Sequence, residues 1–293
     1  MGYTLSNGVL TVEINDEEAA KGTRFDRTGF ITQVTLHPGN HTFCVPESYT
    51  EGEGTGGSGL CNEFGISRTI GYDEAAPGEW FPKLGVGLLQ RKGEEPYFFA
   101  DRYPEQPFQV RVNVTAEEVN YEAEPADCRG YSARLQKTIR LLENRLIINY
   151  TLTNTGVKPI ETEEYVHNFV GINGAKVGKT YELMFPGPAE VSAPESAYTE
   201  QLLQAEDNRI SWTAEPDRQF YCLLKGCDAE AQAYRWKLVH KPTGASVSES
   251  GSFPVAKAAL WGDRHVISPE IFIQLSVQPG ENASWWREYC FEA

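Results

Sequence analysis

The chain has 293 residues, with 26 Lys+Arg against 41 Asp+Glu (formal net charge −15), 40 % hydrophobic and 23 % charged residues. That is the composition of a globular chain able to form its own core, not of a disordered one. No apolar run of about 18 residues is present to span a bilayer, and an acidic surface without a Lys/Arg stripe repels nucleic-acid phosphates.

The first residues, Met1-Gly-Tyr-Thr-Leu-Ser-Asn-Gly8, carry neither a basic nor an apolar leader segment. The expected location is therefore the cytoplasm. The six cysteines, Cys44, Cys61, Cys128, Cys222, Cys227 and Cys290, form no CxxC pair and are expected to be reduced and mostly buried. Zinc at Cys222 and Cys227 would need a second ligand pair nearby, and none is present.

In chain order, residues 9–14 and 29–36 read as strands rich in β-branched side chains. The Gly-rich stretch 52–59 reads as a loop. Residues 108–114 alternate apolar and polar side chains, as in a half-buried strand. Residues 131–142 and 146–153 alternate likewise around Glu143-Asn-Arg145 and predict a hairpin. Only residues 195–206 suggest a short helix, bracketed by Pro194 and Pro216. Residues 234–240 and 245–251 form a second predicted hairpin around Lys241-Pro-Thr-Gly244. Residues 271–277, then Pro279-Gly280, then 285–291 close the chain. Many strands, few helical signals and no βαβ alternation predict an all-β fold, a sandwich or barrel. No linker divides the chain, so residues 1–293 are expected to form a single domain.

Two familiar chemistries fail on spacing. Gly174-Ala-Lys-Val-Gly-Lys-Thr180 has three residues between the first Gly and Gly-Lys-Thr where a phosphate-binding loop needs four, and it reads as a loop between strands. No GxSxG element supports a serine nucleophile. The segment Pro159-Ile-Glu-Thr-Glu-Glu-Tyr-Val-His167-Asn-Phe169 is richer. As a strand it puts Glu161, Glu163, Tyr165 and His167 on one face and Thr162, Glu164, Val166 and Asn168 on the other. A His among acids suits general acid–base work; the same pattern also fits a surface strand with solvated charge. Glu270, after Pro269, is a lone carboxylate at what reads as a strand entry or edge. Arg24, Asn62, Glu63 and Lys83 lie in turn-rich sequence near Phe64, Tyr72, Trp80 and Phe81. Polar side chains beside aromatic faces suit a sugar, and ordinary core aromatics would look the same.

Three stretches resemble the galactose mutarotase-like superfamily, which includes aldose 1-epimerases and hexose-6-phosphate epimerases. They are Leu146-Ile-Ile-Asn-Tyr-Thr-Leu-Thr-Asn-Thr-Gly156 followed by His167-Asn-Phe169, the loop Gly56-Gly-Ser-Gly-Leu-Cys-Asn-Glu-Phe-Gly65, and the closing pair from Leu275 through Pro279-Gly-Glu281 to Phe291. The resemblance implies a large antiparallel β-sandwich with a sugar cleft on one sheet. It implies that His167 protonates the ring oxygen of a monosaccharide or sugar derivative while Glu270 takes the anomeric proton, with Arg24 on substrate hydroxyls and no metal or nucleotide cofactor. A second His usual after the Gly loop is missing, and Lys83 or Arg91 stands in that stretch. Glu163 and Glu164 are rival bases, with Glu164 also a candidate substrate contact. A binding protein without catalysis, or a lyase or glycoside hydrolase working through paired carboxylates, is compatible with the same sandwich.

Overall fold

The structure, a computed structural model, describes residues 2–16, 22–50, 52–225 and 234–293. Cys227, half of the pair considered for zinc, lies outside the described residues. Strands hold 52 % of the chain and helix 3 %, so backbone polar groups are satisfied almost entirely by ladders between strands. Two ten-stranded sheets pack face to face, and a three-stranded sheet, Trp80–Lys83, Gly87–Gln90 and Glu105–Pro107, stands beside them. All the pairings are antiparallel. The architecture is the expected all-β sandwich. No helix among the described residues is long and apolar enough to cross a membrane.

The site sheet has at its centre, in spatial order, Leu60–Phe64, Ile160–Asn168, Val266–Val277, Lys257–Asp263 and Phe220–Lys225. The facing sheet centres on Ser246–Gly251, Asn282–Glu292, Arg145–Asn154 and Ala133–Leu142. The last two form the predicted hairpin in the register Leu142↔Arg145, with Glu143 at a φ of 55° supplying the left-handed turn residue. Their alternating apolar side chains, such as Leu135, Ile139, Ile148 and Leu152, fill the inter-sheet core. The helix expected over 195–206 is only half formed. Ala197–Leu202 is helical with Ser196 as its N-cap, and Leu203–Glu206 instead pairs with Arg209–Trp212 around Asp207. A sheet partner a few residues away outcompetes the continuation of a short helix.

Strand Ile160–Asn168 divides its side chains as the two-residue period requires. Thr162, Glu164, Val166 and Asn168 enter the space between the sheets and are buried; Tyr165 and His167 face outward and are buried under loops, while Glu161 is exposed. The charges on the inner face are compensated from the opposite sheet. Arg287 bonds Glu164 at 2.8 Å and Glu249 at 2.6 Å. Glu249 also accepts from Trp236 at 2.8 Å and from Asn168 at 3.1 Å. Asn62 donates to Glu164 and accepts from Lys137, which pairs with Asp26 at 2.8 Å. Buried charges persist only when paired and hydrogen-bonded in this way. Burial still pushes the Glu164 carboxyl up, against the pull of Arg287, Lys137 and Asn62.

Pro269 lies not at a strand entry but well inside Val266–Val277, a central strand paired on both sides. Its missing N–H explains how this is tolerated. The ladder with Ile160–Asn168 runs from Ile160↔Val277 to Glu164↔Ile273 and returns as the Val170↔Ile267 bridge; between them no pair forms. In the gap, the Asn168 N–H turns to the Ser268 hydroxyl at 2.9 Å, and the Asn168 side chain donates to the Pro269 carbonyl at 2.6 Å. Carried across the gap, the register sets His167 opposite Glu270.

Candidate active site

The outer face of the site sheet carries a cavity of about 620 Å³. His167 and Tyr165 come from one strand, Glu270 and Phe272 from the next, Lys257 and Trp261 from the third and Tyr221 from the fourth. Loops bring Arg24, Glu47, Thr55 and the aromatic run Tyr97, Phe98 and Phe99 over them. The size and the mix of aromatic faces with a few convergent polar groups are those of a small-molecule site.

At its floor His167 Nε2 lies 3.3 Å from Glu270 Oε1. Both side chains are nearly sealed, 4 % and 5 % exposed as residues, yet both line the cavity. The His167 ring stacks on Phe169 at 4.1 Å and meets the edge of Trp261 at 5.0 Å. Such surroundings favour neutral forms. Burial, with a further contribution from the Arg24 charge, holds the His167 imidazole well below its ordinary pKa. Burial pushes the Glu270 carboxyl up to about 8, only partly offset by Arg24, Lys257 and the Ser268 hydroxyl. Burial thus favours the pair as an uncharged imidazole beside a carboxylic acid.

Arg24 is fixed rather than mobile. It donates to Glu63 at 2.8 Å, to Thr55 at 2.8 Å and to Tyr165 at 2.9 Å, and its guanidinium sits 4.5 Å from the Phe25 ring centre and 4.3 Å from that of Phe99. Burial alone would disfavour its charge; Glu63 and Tyr165 outweigh that and raise its pKa. Tyr165 also donates to Glu63 at 2.8 Å. Lys257 stands over the Phe272 ring at 3.7 Å and lines the same cavity.

The sequence candidates thus separate. His167, Glu270 and Arg24 meet in one hollow, with Glu63 anchoring Arg24. Lys83 is wholly buried behind Glu63, 3.3 Å away, and does not line the cavity; burial lowers its pKa despite Glu63. Arg91 is a clamp for loops, donating to the carbonyls of Tyr72, Ala75, Gly93 and Glu94 and stacking on Tyr72. Asn62 and Glu164 point to the opposite side of the sheet, into the inter-sheet network. Glu163 accepts from the Ser67 N–H at 2.8 Å and lines a different hollow. Ser268, Lys257, Trp261 and the Phe98-Phe99 pair escape the sequence reading. The period-two run Lys257, Ala259, Trp261 was the available signal for two of them.

Fold and site together define a small-molecule cleft on a large sandwich, with a His–Glu pair on its floor. Solved structures share the fold. A galactose mutarotase-like protein from Lactobacillus casei superposes with a TM-score of 0.61 at 14 % identity, covering 100 % of each chain. A galactose mutarotase related enzyme from Lactobacillus acidophilus gives 0.60 and 14 %, covering 100 % of this chain and 98 % of its own. An aldose epimerase homologue from C. elegans gives 0.54 and 12 %, covering 100 % and 98 %. At such identities the likeness is one of fold: the chain has the galactose mutarotase-like sandwich. No protein-family profile and no curated protein matches it.

Proposed function

We propose that the protein is an isomerase of the aldose 1-epimerase type, interconverting the anomers of a monosaccharide or sugar derivative by ring opening. The single observation that carries this reading is His167 Nε2 within 3.3 Å of Glu270 Oε1 on the floor of the aromatic-walled cavity. The reaction needs one proton delivered to the ring oxygen and one removed from the anomeric hydroxyl. The C1–O bond of the ring breaks as the carbonyl forms at C1; rotation about C1–C2 and the reverse transfers close the other anomer. A neutral imidazole with a carboxylic acid holds as many protons as an imidazolium with a carboxylate. Passage of one proton from Oε1 to Nε2 thus gives the form in which His167 donates and Glu270 accepts. Trp261 and Phe99 offer apolar faces to a sugar ring, and Arg24 and Lys257 offer donors to its hydroxyls. No step calls on a metal or nucleotide.

The contact of Glu270 with His167 favours this reading over one through paired carboxylates. Glu63 is engaged by Arg24, Lys83 and Tyr165, and Glu163 by a backbone amide. The test is magnetisation-exchange NMR on a panel of neutral, carboxylated and phosphorylated aldoses. Anomer exchange above the buffer rate, abolished in His167→Ala, supports the reading; exchange at the buffer rate for every sugar ends it.

A further inference from the structure

Among the described residues, Ser268 is the one side chain bonded to both members of the pair. Its hydroxyl lies 2.9 Å from His167 Nδ1 and 3.3 Å from Glu270 Oε1, and it accepts from the Asn168 N–H at 2.9 Å. It is fully buried. A hydroxyl has one proton to give. With Glu270 protonated, the acid donates from Oε1 to Nε2, the imidazole must carry its proton on Nδ1 and donate it to Ser268, and Ser268 donates to Oε1. With Glu270 ionised, Nε2–H donates to the carboxylate, and the serine hydroxyl rotates to give its proton to the bare Nδ1. The same atom complements both states without movement of the backbone. Its place is held by the gap at Pro269, where Asn168 has no partner in the Val266–Val277 ladder and bonds Ser268 instead.

We propose that Ser268 is a positioning residue that selects the His167 tautomer according to the protonation of Glu270. This rests on the isomerase reading for its catalytic consequence, though not for its structural one. It adds a third member to the site and explains how a neutral imidazole is kept ready to receive a proton at Nε2: the serine oxygen, already accepting from Asn168, presents its remaining lone pair to Nδ1–H. Other charged and titratable groups face Glu270 from the elements packed around it. They are Arg24 from its loop, Glu63 beyond Arg24, Tyr165 on the neighbouring strand, and Lys257 and Tyr221 from the far side. Neither Arg24 nor Lys257 bonds His167, so neither sets its tautomer.

The experiment uses the full chain labelled with ¹⁵N-histidine, with the His167 signals assigned by their loss in His167→Gln. At pH 6.5 the parent is expected to show the Nδ1–H tautomer, converting to Nε2–H as Glu270 ionises. Ser268→Ala is expected to give a mixture of tautomers at pH 6.5. Its alkaline limb should move away from the parent's, since Ser268 bonds His167 and Glu270 differently in the two protonation states. Its kcat should fall about 10- to 100-fold with KM little changed. Ser268→Thr, which keeps the hydroxyl, is expected to retain the parent tautomer. If Ser268→Ala shows the parent's tautomer and the parent's limb, the proposal fails. A parent without anomer exchange would sink the isomerase reading, and the ¹⁵N spectra would still decide the role of Ser268.

Discussion

Replacing Glu270 by Gln should make the protein more stable while disabling it, and the gain should depend on pH in a calculable way. The Glu270 carboxyl, ordinarily titrating near 4.5, is pushed up to about 8 by burial. At pH 7 the folded chain keeps a proton that the unfolded chain has released. Raised pKa values of acids cost stability above the unfolded value, by ~1.4 kcal/mol for each pH unit between the two. The cost is close to zero at pH 4.5, about 3 kcal/mol at pH 7 and levels off near ~5 kcal/mol above pH 8. Gln cannot ionise in either state and escapes it. Urea unfolding of parent and Glu270→Gln at several values between pH 4.5 and 8.5 measures the difference. A constant offset is expected from altered hydrogen bonds to His167 and Ser268, so the slope with pH is diagnostic. The same pH dependence in both proteins would refute the view that Glu270 is a neutral acid in the fold. Against a total stability of 5–15 kcal/mol such a term is large, and it is the signature of a site whose function opposes stability.

Three further outcomes follow from the same geometry. His167→Ala should lower anomer exchange by about 10²- to 10⁴-fold, read by NMR, with the far-UV dichroism unchanged. The parent's exchange should be highest below about pH 8 and fall as the pair loses its shared proton, and Lys257→Met, which removes a cation that favours the carboxylate, should carry that fall to higher pH in the rate profile. Arg287→Met leaves Glu164 and Glu249 without their cation and should cost about 3–5 kcal/mol in urea unfolding, a loss that shrinks as the pH falls and Glu164, already pushed up by burial, takes a proton, and that is partly recovered by adding Glu164→Gln and Glu249→Gln.

The sheets were legible where side chains alternate over many residues. The 131–142/146–153 hairpin, the 234–251 hairpin and the closing strand all stand within a few residues of their expected places. Short strands such as Tyr181–Met184 or Gly87–Gln90 left no such trace, because four residues carry too little periodicity and are held by their neighbours. Of the site, the pairing of His167 with Glu270 was reachable through resemblance, and the alternation around His167 correctly put Glu164 on the opposite face from it. What could not be read was which face meets the cleft. Asn62 and Glu63 are adjacent and equally polar, yet one joins the inter-sheet network and the other anchors Arg24. Only the approach of Arg287 and Lys137 from the second sheet decides between them. Lys83 and Arg91 likewise look like free cations in the sequence, and Glu63 holds the first while loop carbonyls hold the second.

The interruption at Pro269 gives this chemistry its foothold. An unbroken ladder would consume every amide along the two central strands and leave a serine between them nothing to accept. By withholding a single hydrogen, the imino acid turns one rung of a structural lattice into a polar socket, at the centre of the sheet. The precision of the dyad is therefore inherited from the sheet itself rather than from the loops that roof it, so the roof can be remodelled for new ligands without disturbing the atoms beneath.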